Sequence, residues 1–542
     1  MTTSPTLPTS YAITQPAIWL RDNCPCAECR DPRNGQKLFG ITDLASDLVV
    51  SEVIGTTVTF SDGHVSRFDP AFLDAEQELD DRCEDAKQLW ASTDPPQHDW
   101  PRFVSDAEYR ADCLEAVLRI GFTLLTGASV RPGTVLDVAA GFGYVRETNY
   151  GRLFDVRVEA TPNNLAFTGL AIAPHTDNPY RDPVPTVQLL HCLANAVDGG
   201  ESGLVDGFHA AAVLRGDDPE AFDILTRTPV TFRFADSTSE LVASRPIIGL
   251  DPTGRIREIR FNNRSMQPLR LPPDHTPAFY AAYRRFAEIL NRPELMVTFR
   301  LTPGDCVVFD NTRLLHARTS FADSGDRHLQ GCYADVDSIA SRHKVLRGQL
   351  VAERLRDLFD GAGAADYLGE DVTLAQHMLQ AAAVAEGDGA SPELVIAALL
   401  HDVGHFAGRL TGSDLMGGTD NRHSHVAADW LARWFGPAVT EPIRLHVAAK
   451  RYLCAVDPAY YQVLSPASAY TLEVQGGAMR GQEVADFEAE PYADDAVRLR
   501  HWDDAAKDNT RSVPSFDRYE RRIALLARPN RRRIALEPEV PR

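Results

Sequence analysis

At 542 residues, the chain is long enough for roughly three or four domains of ordinary size. Its 44% hydrophobic and 24% charged content suits globular domains with normal cores, and a formal net charge of -21 disfavours a nucleic-acid partner. No apolar run reaches the roughly 18 residues of a membrane helix, and the opening "MTTSPTLPTSYAITQP" has neither the basic n-region nor the apolar h-region of a secretory signal. The expectation is therefore a cytoplasmic protein acting on a small molecule, with no nucleic-acid or membrane partner; self-association is left open.

Residues 1–95 mix short β-like runs ("LVVSEVIGTTVTF", 48–60) with turn signals such as Asp62-Gly63. Cys24, Cys26 and Cys29 stand together in "CPCAEC", and His64 follows the turn. Three thiolates and one imidazole make a closed tetrahedral set of the kind structural Zn(II) uses, with no open position for catalysis. The alternative is three reduced thiols with His64 on the surface. The other six of the nine cysteines are scattered singly, which argues against a disulfide framework.

From 96 to 348, short apolar runs ("TVQLLHCL", 186–193; "VTFRL", 297–301; "DCVVFDN", 305–311) alternate with Gly, Pro and Asn clusters. This spacing predicts a β-sandwich or barrel with a few accessory helices, among them 276–291. "APHTDNPY" carries His175-x-Asp177, and His316 completes two imidazoles and one carboxylate. Such a facial triad leaves three positions for a bidentate 2-oxo acid and O2, as mononuclear Fe(II) oxygenases require. Arg327, eleven residues past His316, offers a guanidinium for the distal carboxylate of 2-oxoglutarate; the alternative is a surface ion pair.

After about 348 the periodicity turns helical, with the boundary expected near 345–365, where "GAGAAD" marks a loop. Helices are predicted at "TLAQHMLQAAAVAEGDG", "SPELVIAALLHDVGH", "SHVAADWLARWF" and "EPIRLHVAAKRYL", three of them opened by Thr, Ser or Glu-Pro starts. "ALLHDVGHF" holds His401, Asp402 and His405. His377, His423, His446 and Asp503 supply partners that can converge inside a bundle around two ions, with Asp402 as the bridge.

At "AIWLRDNCPCAEC" the chain resembles the γ-butyrobetaine hydroxylase family. The resemblance runs on through "GFTLLTGASVRPG", "VQLLHC", "GGESGLVDGF", "GDCVVFDNTRLLHAR" and "RHLQGCYADVD", over about 18–346. It implies a zinc module with His64 as fourth ligand, joined to a double-stranded β-helix (jelly roll) dioxygenase domain using Fe(II) and 2-oxoglutarate. It also implies a quaternary ammonium substrate held on aromatic faces, at positions occupied here by Tyr150, Phe154, Phe167 and Tyr333. Two departures stand out. Asn178 follows the His-x-Asp where a family member has Tyr, and Arg264 in "FNNRSM" replaces a small residue. Both add hydrogen-bond donors, which suits an acceptor such as a phosphonate; alternatively, Arg264 pairs with an acidic neighbour.

Over about 360–525 the chain resembles the HD-domain mixed-valent di-iron oxygenases that cleave carbon–phosphorus bonds. The residues that carry this are "YLGE" (367–370), "MGG" (416–418), "HVAAKRYL", "TLEVQGG" and "RLRHWDDAAK". The resemblance implies an Fe(II)/Fe(III) centre on His377, His401, Asp402, His423, His446 and Asp503, with Tyr367 and Glu370 occupying the open iron until substrate arrives. His405 and Lys450, one helical turn after His401 and His446, match phosphonate-contacting residues. Most HD-domain proteins are phosphohydrolases, so that reading stands as an alternative.

The combined expectation is a multidomain protein. It has a small β-rich zinc module (1–95), a jelly-roll dioxygenase domain (96–348), an all-α HD domain (349–530) and a tail (531–542). The first site would hydroxylate C1 of 2-(trimethylammonio)ethylphosphonate, and the second would cleave the 1-hydroxy product to glycine betaine and phosphate. The rivals are the same two steps on 2-aminoethylphosphonate giving glycine, and a γ-butyrobetaine hydroxylase fused to a phosphohydrolase or sensing module.

Overall fold

The structure is a computed structural model of the chain. It describes residues 13–31, 33–74, 87–158, 168–322, 325–361, 372–407, 422–462 and 464–527. Phe167, Tyr367, Glu370, the "MGG" at 416–418 and the tail 531–542 lie outside the described residues. The chain divides into two compact units, Asp80–Leu346 and Met1–Leu79 together with Arg347–Arg542.

In the unit Asp80–Leu346, the runs rich in β-branched and apolar residues form two large sheets, beside two two-stranded hairpins. The six-stranded sheet has the order Gln97–Asp99, Phe122–Thr126, Cys306–Asp310, Val187–Asn195, Arg327–Ala334, Phe154–Arg157. The four-stranded sheet has the order Met296–Phe299, Ser202–Asp206, Leu314–Arg318, Ile172–His175, antiparallel throughout. The period of two along a strand shows why "CVVFD" is apolar at successive positions. Cys306 and Val308 pack with Val117 and Val138 of the helices Ala107–Ile120 and Thr134–Phe142. Val307 and Phe309 pack with Leu204, Val297 and Leu314 of the four-stranded sheet. The far face of that sheet, through Val205 and Leu315, is covered by the helices Gly207–Asp217, Pro219–Arg227 and Thr276–Leu290. The layers are therefore helix, sheet, sheet, helix.

In the other unit, a three-stranded antiparallel sheet (Val50–Ile54, Thr57–Phe60, Val65–Arg67) packs with the helix Ala17–Asp22 through Leu20, Val58 and Phe60. Residues 1–79 belong to the same unit as the helices, and two polar contacts mark the seam. Arg67 donates to Asp495 at 2.9 Å, and the Tyr492 hydroxyl donates to Asp69 at 2.7 Å.

The helical part starts its elements largely where local chemistry dictates. Thr373 and Gln376 form a reciprocal capping box on Leu374–Gly387, and Ser391 caps Pro392–Leu400 with Pro392 in the first turn. Leu394–Leu400 is buried at every position, as expected for an apolar helix at the centre of a bundle. One expectation is corrected. The helix predicted to open at Glu441-Pro442 opens at Pro437, after Gly436, and Pro442 lies inside it. Pro437 sits where no N–H is needed, while Pro442 removes a single interior bond from a 20-residue helix. Within the window 345–365, where a boundary is expected, the division between the two units falls at Leu346/Arg347, inside the continuous helix Val336–Phe359, which is rich in good helix formers and free of proline.

Candidate metal centres

The first cluster follows from sheet register. His175 and His316 are paired residues of adjacent strands, which puts their ring centroids 4.1 Å apart. Asp177 lies just past its strand, with Oδ1 3.5 Å from His175 Nε2 and Oδ2 4.0 Å from His316 Nε2. The His175 Nδ1–H donates to the Ala173 carbonyl at 3.0 Å, which turns Nε2 toward the cluster. Burial first, and then the neighbouring His175, pushes the His316 pKa down to about 3, so the His316 ring is neutral. Burial alone would raise the Asp177 carboxyl, but the imidazoles and Arg264 outweigh it and hold it below the usual carboxylate range. Two imidazoles and one carboxylate, with ligand atoms within 4.8 Å of one another, form a donor set that fits a divalent cation.

A cavity of about 510 Å³ opens onto this cluster, lined among others by Tyr150, Phe154, Asn178, Arg264, Arg327 and Tyr333. Phe154 stands 5.2 Å from Tyr333 and 6.0 Å from Tyr150, centroid to centroid. Sequence reasoning missed two further aromatic walls. Phe234 lies 5.2 Å from Tyr180 and 5.7 Å from Tyr150, and the Tyr150 and Tyr180 hydroxyls share a hydrogen bond of 2.9 Å. Tyr180 belongs to the His-x-Asp motif itself, whereas Phe234 arrives on the hairpin Val230–Ala235/Glu240–Arg245, far away in sequence. Asn178 holds a left-handed backbone (φ 56°), which asparagine tolerates, and its buried Nδ2 has no hydrogen-bond partner among the described residues. Arg327 is 6% exposed, and its Nε likewise has no partner among the described residues. A buried guanidinium with an open donor fits the carboxylate of a bound 2-oxo acid.

The second cluster sits in the helical part and consists of two interlocking triads. His377, His401 and Asp503 form one; Asp402, His423 and His446 form the other. Asp402 faces both. Its Oδ2 is 3.6 Å from His377 and 3.4 Å from His401, and its Oδ1 is 3.5 Å from His423 and 3.6 Å from His446. His377 and His401 spend their Nδ1–H groups on the Ala506 and Ala398 carbonyls, yet their Nε2 atoms are 3.2 Å apart. Burial alone would lower the His377 pKa, but Asp503 and then Asp402 raise it, so positive charge, a proton or a cation, is favoured at these nitrogens. Two such histidine pairs, the second being His423 and His446 at 3.2 Å, around one carboxylate fit a dinuclear metal site.

Around these ligands is a cavity of about 90 Å³ lined by His405, Lys450, Ser468, Thr471, Arg500 and Lys507, among others. His405 stacks on His423, with centroids 4.0 Å apart. The Lys450 ammonium donates to Thr471 Oγ1 at 3.0 Å, and burial pushes its pKa down to about 7. Arg500 was not singled out from the sequence; it donates to Asp503 Oδ2 at 2.7 Å and aims that carboxylate.

The glycine of "HDVGH" is required by the approach of the helix His423–Leu431. A Cβ on Gly404 would lie 2.0 Å from the His423 carbonyl oxygen, which is backbone and cannot swing aside. Gly404→Ala is expected to cost about 1–3 kcal/mol or more and to lower the divalent-metal content of the purified protein. Unaltered metal content by elemental analysis would refute this role.

In the N-terminal part, the His64 Nε2 lies 3.2, 3.6 and 3.5 Å from the Sγ atoms of Cys24, Cys26 and Cys29. Three sulfurs converging on one imidazole nitrogen, with Arg21 donating to the Cys29 sulfur at 3.1 Å, fit a closed site for a zinc-like cation.

The sandwich that carries the His-Asp-His set is matched over residues 85–333 by the model of the taurine catabolism dioxygenase TauD, TfdA family. A second model, gamma-butyrobetaine hydroxylase-like, N-terminal, matches residues 9–73. The chain belongs to the gamma-butyrobetaine dioxygenase family. It is 39% identical over 343 residues to the gamma-butyrobetaine dioxygenase of Pseudomonas sp. (strain AK-1), covering 61% of this chain and 90% of that protein. It is also 42% identical over 174 residues to the [1-hydroxy-2-(trimethylamino)ethyl]phosphonate dioxygenase (glycine-betaine-forming) of Leisingera caerulea, covering 32% of this chain and 88% of that protein. Among solved structures, the PvcB protein from Pseudomonas aeruginosa matches at 23% identity, covering 44% of this chain and 82% of that one, with a TM-score of 0.33.

Proposed function

We propose that the chain carries out two successive oxidations of a quaternary ammonium phosphonate. The first converts 2-(trimethylammonio)ethylphosphonate, O2 and 2-oxoglutarate into the 1-hydroxy phosphonate, succinate and CO2. The second converts that product and O2 into glycine betaine and phosphate. The carrying observation is the coexistence of a mononuclear-type His-Asp-His set and a six-ligand set centred on Asp402 in one chain. It is supported by separate likenesses to a gamma-butyrobetaine dioxygenase and to a protein named for oxidising the hydroxylated phosphonate.

Iron at His175, Asp177 and His316, together with 2-oxoglutarate, would supply the O2-activating chemistry of the first step. The residues of this chain then do the selecting. Tyr150, Phe154 and Tyr333 present π-faces to the trimethylammonium group. Arg327 holds the 2-oxo acid, and Asn178 and Arg264 offer donors to the phosphonate. The ammonium in its cage sets which carbon faces the metal, and in this substrate the carbon two bonds from nitrogen is the one bonded to phosphorus. In the helical part, a mixed-valent di-iron pair on the six ligands would supply the second oxidation. His405 and Lys450 would meet the phosphonate, and Tyr367 and Glu370 would guard the open position. The N-terminal Cys24, Cys26, Cys29 and His64 would hold structural zinc.

The test is a phosphorus NMR time course with Fe(II), ascorbate and air, with and without 2-oxoglutarate. Phosphate appearing only with 2-oxoglutarate, through a transient phosphonate signal, supports the order given. Preferential consumption of 2-aminoethylphosphonate, or phosphate release without O2, would refute it.

A further inference from the structure

We propose that Gln188 and Tyr333 are a positioning pair that decides which oxygen of Asp177 faces the metal, and that Tyr333 thereby joins the aromatic cage to that ligand. Given the metal reading of His175, Asp177 and His316, on which this rests, the pair accounts for contacts that the triad alone leaves unexplained.

Gln188 and Tyr333 are directly opposed residues of the strands Val187–Asn195 and Arg327–Ala334, so the pleat puts both side chains on one face of the six-stranded sheet. Both are almost fully buried, at 2% and 3% exposed. The Gln188 Nε2–H donates to Asp177 Oδ2 at 2.9 Å, and the Tyr333 hydroxyl donates to the same oxygen at 3.1 Å. Gln188 takes this orientation although its Oε1 has no partner among the described residues. Its amide is therefore turned for the carboxylate and not for its own satisfaction.

The Asp177 main chain is fixed as well. Its N–H donates to Asn311 Oδ1 at 2.8 Å, and Asn311 Nδ2 returns a bond to the Asp177 carbonyl at 3.0 Å. With Oδ2 held by two donors, Oδ1 is the oxygen left for a cation. A carboxylate ligating through one oxygen preserves the three positions that a bidentate 2-oxo acid and O2 need; ligation through both would take one of them. Tyr333 also packs its ring against Phe154 at 5.2 Å. One rigid side chain thus touches the ammonium cage with its face and the metal ligand with its hydroxyl.

The experiment is an anaerobic titration of Fe(II) into the full-length protein with saturating 2-oxoglutarate, read by the visible absorption of the Fe(II)–2-oxo acid chelate. KM for the phosphonate and thermal unfolding of the metal-free protein are measured alongside. Gln188→Met and Tyr333→Phe should each weaken Fe(II) binding by about 10–100-fold without lowering the metal-free unfolding temperature. Phe154→Leu should raise KM and leave Fe(II) binding alone, which separates the cage from the metal ligand. Fe(II) affinity equal to wild type in both Gln188→Met and Tyr333→Phe overturns the positioning role. A wild-type protein with no chelate absorption overturns the metal reading itself, and the pair's role with it.

Discussion

In the Asp402→Asn variant, the hydroxylated phosphonate is expected to accumulate while phosphate release falls by more than about 100-fold, beyond what loss of a group behind a metal ligand costs. The geometry sets this expectation. Asp402 presents one oxygen to His377 and His401 and the other to His423 and His446, so it is the residue that faces both triads. An asparagine offers one oxygen and one NH2. The NH2 can donate to a bare imidazole nitrogen, so the metal-free cluster stays satisfied, but it cannot ligate a second ion. The variant should therefore fold, keep the oxidation performed in Asp80–Leu346, and bind fewer metal ions. Phosphorus NMR reads both steps in one tube, and elemental analysis reads the metal. Phosphate release at the wild-type rate would remove Asp402 from the proposed bridge and return the helical part to the phosphohydrolase or sensing readings.

Some of these features can be read along the chain and others only across it. "APHTDNPY" and "ALLHDVGHF" are local, so His175-x-Asp177 and His401-Asp402 stand out from spacing alone. Strand runs such as "DCVVFDN" and caps such as Thr373 and Ser391 are local too. The hydrogen bonds that aim Asp177 are not: Gln188 and Tyr333 meet only through the register of two strands 145 residues apart (188 to 333). Phe234 is invisible for the same reason, because a hairpin outside every quoted motif carries it into the cavity. The false helix start at Glu441-Pro442 shows the opposite failure, in which a strong local signal is overridden because packing carries the helix through one proline. The joining of residues 1–79 with the helices had no signature either, since Arg67, Asp69, Tyr492 and Asp495 are ordinary polar residues until the fold brings them together.

Arg327→Met is expected to raise the 2-oxoglutarate concentration needed for the first oxidation by roughly 30-fold to several thousandfold, the range that follows from removing one partner of a buried, hydrogen-bonded charge pair at 2–5 kcal/mol. Of the four arginines that line this cavity, Arg233, Arg264, Arg318 and Arg327, the last two stand on core strands, and their backbone contacts separate them. Arg318 donates to the Thr168 and Leu170 carbonyls at 2.6 and 2.7 Å, so it is committed to holding backbone. Both guanidiniums lie against the Phe321 ring, at 4.9 Å for Arg318 and 5.1 Å for Arg327, and the Arg327 Nε has no partner among the described residues. Keeping that charge out of water is costly unless an anion joins it, and a carboxylate is the anion the first step requires. Arg327→Lys should recover only part of the affinity, because an ammonium cannot reproduce the planar two-point contact. KM for the quaternary ammonium phosphonate, measured at saturating 2-oxoglutarate, should change little in either variant, which separates this site from the aromatic cage. An unchanged 2-oxoglutarate dependence in Arg327→Met would assign the carboxylate to Arg318 and make the open Nε of Arg327 a structural accident.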